Sequence, residues 1–395
     1  MQRSGTADMA LWGGRIPPYL FQRMKALSLP MVEALILQHG RAGVLQRLSD
    51  PFWFQSFGAV IGMDWNSSGV TTAVMRALSE ALNPHANELG LYVCGGKGKD
   101  SLQTPTQLLR IGDATGLDGH KLARASKLSA KVDNTALQDG FQLYLHSFVL
   151  SVEGEWTVIQ QGMQGKEGLA RRYHWHSAGL ESFVEEPHAA IMGTNQGLIL
   201  NLTAKEASAT RDGIMEIAQA SPEAILKEVP KLELPSYCDL KAEDVDLKRL
   251  GGVLRLAQET EATQFEDVLL LKGLGPRTMQ AMTLVSEVLH GTPGRFRDPA
   301  RFAFAHGGKS SKPFPVPTRI YDETITHLKE AVEQAKIGDQ DKLKAIGKLT
   351  KLSQQAEAGF PDFEAKMEQE RRESERYGGR KPETHPPKDQ QLRLF

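Results

Sequence analysis

Cysteine is scarce: Cys94 and Cys238 are the only two in 395 residues. That excludes a disulfide scaffold and a Cys-based zinc site, and it fits a reducing compartment. No charge of one sign dominates. Against 48 Asp and Glu stand 47 Lys and Arg, a formal net charge of −1, so any nucleic-acid footprint is a local patch and not a basic coat. Long apolar runs are missing too. None approaches the ~20 residues that span a bilayer, and the first residues hold no secretory apolar core. A cytoplasmic protein without a membrane segment is expected. What is present is enough hydrophobe, 40%, to bury a core, which excludes a wholly disordered chain. The length favours two or more folded units.

Patterning divides the chain. Residues 1–220 read as a mixed α/β (α+β) domain. Helices are expected at 19–24 and 31–38, and again after Ser67-Ser68, where Val74, Ala77, Leu78, Ala81 and Leu82 recur at helical spacing. Residues 89–94 read as a buried strand, 95–99 as a Gly/Lys loop and 104–110 as a helix. Strands 141–150 and 156–161 are joined across Ser-Val-Glu-Gly-Glu, the length of a hairpin connection. A third strand is expected at 198–202, with a helix after Thr203. Residues 221–236 read as a linker and 237–360 as an all-α DNA-binding domain. From 361 to 395 the text is charged and hydrophobe-poor, so a flexible, disordered tail is expected, and the cytoplasmic protein is expected to be nucleoid-associated.

The strongest motif lies at 263–289. Thr263 and Glu266 have capping-box spacing. Gly273 can take the left-handed conformation that stops a helix, and Pro276 suits the first position of the next. The Gly273-Leu274-Gly275 elbow resembles the helix-hairpin-helix element of DNA repair and replication proteins. Two glycines let backbone approach a phosphate, and amides at the second helix's start point at the anion. Lys272, Arg277 and Thr278 can add side-chain contacts. Such binding is sequence-blind and salt-sensitive. The alternative is an ordinary αα-hairpin with a glycine turn.

A second signal closes the chain. Gln391, Leu392, Leu394 and Phe395 look like the sliding-clamp-binding peptide of bacterial replication and repair proteins. On a flexible tether, Leu394 and Phe395 can fill an apolar pocket while Gln391 bonds its rim. The alternatives are chance, or docking on its own domain.

Four N-terminal clusters carry more polar detail than packing needs. Asp64 follows an apolar run and precedes Ser67 and Ser68 at a helix start, which suits a metal and a phosphate; a plain N-cap is the other reading. Lys97 sits in the 95–99 loop, which is not a Walker loop. Lys131, Asp133 and Asp139 lead into a strand with His146. Carboxylates there can hold an ion while lysine stabilises phosphate charge. The common restriction-like nuclease pattern is not met, since Gln160 and Gln161 stand where its carboxylate belongs. Arg171 and Arg172, interleaved with Tyr173, His174, Trp175 and His176, suit a nucleic-acid backbone and base stacking. Lys309, in a glycine-rich loop, extends the DNA surface.

FQSFGAVIGMDWNSSGVTT, YVCGGKGK, AKVDNTALQDGFQLYLHSF, VIQQGM, ARRYHW, GLGPRTMQAMTLVSE and FAHGGKSSKPFPV together resemble the bacterial and archaeal family known as domain of unknown function 763. That label implies no activity. Three functions follow from the residues. The first is a clamp-recruited, Mg²⁺- or Mn²⁺-dependent nuclease with Asp64, Asp133 and Asp139 on the metal, Lys97 and Lys131 on phosphate, and His146 as base. The second is a glycosylase using Asp298. The third is a non-enzymatic, clamp-associated DNA-binding scaffold.

Overall fold

Proline and aspartate open the helical layer. In a computed structural model, which describes residues 9–10, 18–63, 69–164, 169–193, 195–228, 246–300, 326 and 328–335, a short strand β1 (Met9–Ala10) precedes helix α1 (Pro18–Ser49). The helices expected at 19–24 and 31–38 are parts of this one element, which breaks at Gly40, φ 71°. Asp50 then caps α2 (Pro51–Ile61) by accepting from the amides of Phe52 and Trp53, with Pro51 at the first position. Every residue of α2 is buried. In α3 (Gly69–Leu82) the buried side includes Val74, Ala77, Leu78 and Ala81. Of the linker expected at 221–236, residues 222–228 are helical; Asp64, Ser67, Ser68, Lys309, residues 229–236 of that linker and the peptide at 391–395 lie outside the described residues.

Helix α4 (Ala86–Leu89) leads into β2 (Leu91–Lys97). Three helices follow, α5 (Lys99–Leu102), α6 (Thr104–Thr115) and α7 (Gly119–Lys131). Then come β3 (Leu137–Gln138), β4 (Gln142–Ser151), β5 (Trp156–Gln164), β6 (Leu169–His176), β7 (Ala190–Met192) and β8 (Leu198–Asn201). Helices α8 (Ser208–Gln219), α9 (Pro222–Glu228), α10 (Leu247–Glu259), α11 (Phe265–Leu270) and α12 (Pro276–His290) complete the helical set, and β9 (Phe296–Arg297) follows.

The main sheet is antiparallel, in the order β1-β6-β5-β4-β2, with β7 also on β6. Its register sets two faces. Phe148, Val158 and Trp175 stand in one cross-strand row, and Val149 with Ile159 on the other face. The first face packs on α7, α8 and α10 to α12; the second packs on α1, α2 and α3. A sheet covered on both sides has no solvent face to keep polar.

Two expectations change here. Gly95, Gly96 and Lys97 are not a loop: β2 continues through them, pairing with Ser147, His146 and Leu145 of β4. The stretch expected to be all-α contains a strand, β9, which pairs with β8 in a second sheet, β3-β8-β9. That stretch also shares a core with the first. Leu254, Leu269, Leu274 and Met282 lie in one apolar cluster with Tyr173 and Trp175. No helix among the described residues is long and apolar enough to cross a membrane.

Candidate nucleic-acid interface

The elbow begins with a cap. Gln264 is the N-cap of α11 and forms a capping box with Asp267, one residue later than the Thr263/Glu266 spacing predicts. The shift leaves Phe265, Val268 and Leu269 buried. Leu271 and Leu274 are also buried, so the turn is pinned to the core from beneath. Between them Gly273 adopts φ 89°, a left-handed conformation that favours glycine. Gly275 is extended and caps α12, with Pro276 at the first helical position.

Three of the turn's carbonyls accept from side chains elsewhere in the molecule. Arg249 Nε donates to the Gly273 oxygen at 2.9 Å. Lys131 Nζ donates to the Leu274 oxygen at 2.7 Å. Gln138 Nε2 donates to the Pro276 oxygen at 2.8 Å. The amides of Gly275, Arg277 and Thr278 donate to no acceptor among the described residues. Lys272, Gly273 and Arg277 are exposed, whereas Thr278 is buried, so its side chain is not the phosphate contact expected of it. Burial, followed by the charge of Arg249, pulls Lys131 down to about 8. Chemically, this is a concentration of unengaged donors and positive charge at the start of a 15-residue helix. It suits an oxyanion such as phosphate and offers nothing that reads a base.

The two acids expected to hold metal are built differently. Asp133 is fully buried beneath β5 and β6. Its Oδ2 accepts from Gln160 Nε2 at 2.6 Å and Trp175 Nε1 at 2.9 Å, and its Oδ1 from His188 Nε2. Burial raises its pKa, while His188 and Trp175 lower it. Asp139 accepts from Arg171 Nη1 and Tyr173 Oη, both at 2.7 Å, and from the Phe141 amide at 3.0 Å. Burial pushes its carboxyl up too, and the Arg171 guanidinium pulls it back. A cation at Asp139 would meet Arg171 in the place it needs. Among the described residues no three His, Cys, Asp or Glu could hold a metal ion together.

Arg171, Arg172, His174, His146 and Asp298 are interior as well. Arg171 is completely buried and bridges Asp139 to Asp298, whose Oδ2 lies 2.7 Å from Nη2. Asp298 also accepts from the amides of Gln196 and Ala300, so it faces no substrate space. Arg172 is on the opposite face of β6, equally buried. It donates to Gln55, Thr71 and His174, with the Phe54 ring 4.6 Å away. Neither arginine reaches a nucleic-acid strand at the surface, contrary to the reading of 171–176. The physical reason is strand alternation: successive side chains enter opposite covered faces. His174 donates from Nδ1 to the Leu48 oxygen at 3.0 Å and accepts at Nε2 from Arg172, leaving no nitrogen for a metal. His176 is held by Thr157 and the Trp156 oxygen. His146 sits between Ser126 Oγ and Gln160 Oε1, both at 2.8 Å, and burial lowers it to about 4. It is no base for an external substrate. Lys97 is exposed at the end of β2, with Nζ 5.6 Å from the Tyr144 ring centre.

A family model described as protein of unknown function (DUF763) matches residues 5–316. The chain belongs to the DUF763 family. No curated protein and no solved structure matches it. In this DUF763 chain the expected residues meet in two places among the described residues: Asp139, Arg171 and Asp298 in the interior, and Lys272, Gly273, Leu274, Gly275, Arg277 and Thr278 at the elbow, joined by Lys131. Arg249 and Gln138 complete the elbow and were not singled out by the sequence. Gln138 is 138 residues from the carbonyl it holds, a pairing no local pattern signals. Arg249 had a faint signal, a basic residue in the first turn of an amphipathic helix preceding the hairpin.

Proposed function

We propose that this protein binds the nucleic-acid backbone, DNA above all, through the 271–278 elbow, without reading sequence. One observation carries the reading. Three donors from three separate elements hold the elbow's carbonyls, while the amides of Gly275, Arg277 and Thr278 have no partner among the described residues. A turn held this way presents amides and basic side chains to one anion. Lys272 and Arg277 then add charge-assisted contacts to neighbouring phosphates. The terminal Gln391, Leu392, Leu394 and Phe395 would bring the DNA-bound protein to a sliding clamp. The proposal stops at binding. Asp133 and Asp139 are committed to His188, Trp175, Tyr173 and Arg171, and no cleavage step is assigned to them.

The test is fluorescence anisotropy of the full chain with labelled duplexes of two unrelated sequences, titrated across salt. Wild-type protein should bind both alike, with affinity falling linearly in log salt. Lys272→Gln and Arg277→Gln should each lower the slope by about 0.9, the value of one phosphate contact on duplex DNA. Equal binding by wild type and the double variant at every salt concentration would overturn the reading.

A further inference from the structure

Helix α7 reads Gly-His-Lys-Leu-Ala-Arg-Ala-Ser-Lys-Leu-Ser-Ala-Lys and contains no acidic residue. His120, Arg124, Lys127 and Lys131 recur at i, i+4, i+7 and i+11, the spacing of a single helical face. The other side of the helix, with Leu122, Ala123, Ala125 and Ala130, is buried in the core. His120, Arg124 and Lys127 are exposed. Two members of the row touch the hairpin. Arg124 Nη2 pairs with Asp267 Oδ1 of α11 at 2.8 Å, and Lys131 Nζ reaches the Leu274 oxygen of the elbow. Lys127 lies between them along the helix and makes no ion pair among the described residues.

We infer that the bound nucleic-acid backbone continues from the elbow along this face of α7, with Lys127 as a second phosphate contact and His120 at the far end of the track. The inference rests on the elbow reading and extends it. From His120 to Lys131 the helix rises roughly 16 Å, at 1.5 Å per residue. One duplex strand presents a phosphate about every 3.4 Å along its axis, so the row spans several phosphates beyond the elbow. Charge complementarity selects the occupant. The face offers Arg124, Lys127 and the His120 imidazole in the open, and Asp267 of α11, which touches it, is already paired with Arg124.

The same helix supplies the control. Lys121 is exposed but stands about a third of a turn round the helix from Lys127. Both are surface positions whose change to glutamine alters stability little. Salt-titrated anisotropy of the full chain with a duplex of about 30 base pairs is measured for wild type, Lys127→Gln, Lys121→Gln and Arg277→Gln. The slope should fall by about 0.9 for Lys127→Gln and for Arg277→Gln, and stay at the wild-type value for Lys121→Gln. If Arg277→Gln weakens binding while Lys127→Gln behaves as wild type, the track along α7 is wrong and the elbow reading survives. If Lys121→Gln and Lys127→Gln lower the slope equally, the effect is bulk charge and the track is also overturned. If wild-type protein shows no salt-dependent binding, both readings fall.

Discussion

Two clusters of arginine and lysine in this molecule look alike in sequence and differ in every physical respect. At 171–172 the guanidiniums are wholly buried, each in a closed set of acceptors on its own side of a covered sheet. At 272–278 the cations are exposed and the nearby backbone donors are unengaged. The first cluster holds the structure together, and the second is available to a ligand. Basic residues next to aromatics therefore say little until the period is known. A period of two through a covered sheet sends them inward, whereas a turn between helices leaves them out.

The sharpest break in that comparison is Arg171→Met. It would leave Asp139 and Asp298 buried without their shared cation. Loss of about 3–5 kcal/mol is expected in urea unfolding, whereas Arg277→Gln should unfold with the wild-type midpoint. A wild-type midpoint for Arg171→Met would remove the structural role assigned to the buried cluster.

Acid pH probes the same interior. His146 titrates near 4 when folded and near 6.5 in an unfolded chain. Below pH 6.5 the unfolded state takes up a proton that the folded state refuses. Stability is therefore lost as pH falls from about 6.5 to 4, by about 3 kcal/mol from this residue. His174, lowered well below the ordinary value by burial, acts in the same direction. Comparing urea midpoints of wild type and His146→Gln at pH 7 and pH 4.5 isolates the contribution. An identical acid loss in both proteins would contradict it.

Much of the architecture was legible because it is local. The hairpin of β4 and β5 shows as two β-branched, aromatic runs across a short break, and α3 as an apolar stripe. The Gly273/Gly275/Pro276 punctuation specifies its own turn. What stayed hidden depends on pairing across the chain. β6 reads as a polar, ligand-facing segment because both its faces are covered and their polar groups are satisfied by distant partners, such as Asp298, 127 residues from Arg171. Lys131 was placed on phosphate by its sequence neighbourhood. Its position beneath the elbow comes from a contact 143 residues long. The capping box shifted by one residue because burying Phe265, Val268 and Leu269 decides the helix's phase.

Lys131, buried beneath the elbow, also supplies a gentler test of the exposed cluster above it. With its amine near 8 in the free protein, DNA affinity at fixed salt should weaken between pH 7 and pH 9 as the charge is lost. Lys131→Met, of similar length, should bind less tightly at pH 7 and show little of that dependence. A wild-type pH profile in the variant would separate Lys131 from the binding surface.

The central claim concerns three backbone amides, so the most direct measurement observes them. With ¹⁵N-glycine and ¹⁵N-arginine in the full chain, added duplex should shift the Gly275 and Arg277 amide resonances saturably, and added salt should reverse the shift. Gly58 and Gly162, inside the two cores, should stay in place. Unmoved Gly275 and Arg277 signals in the presence of bound DNA would contradict the account.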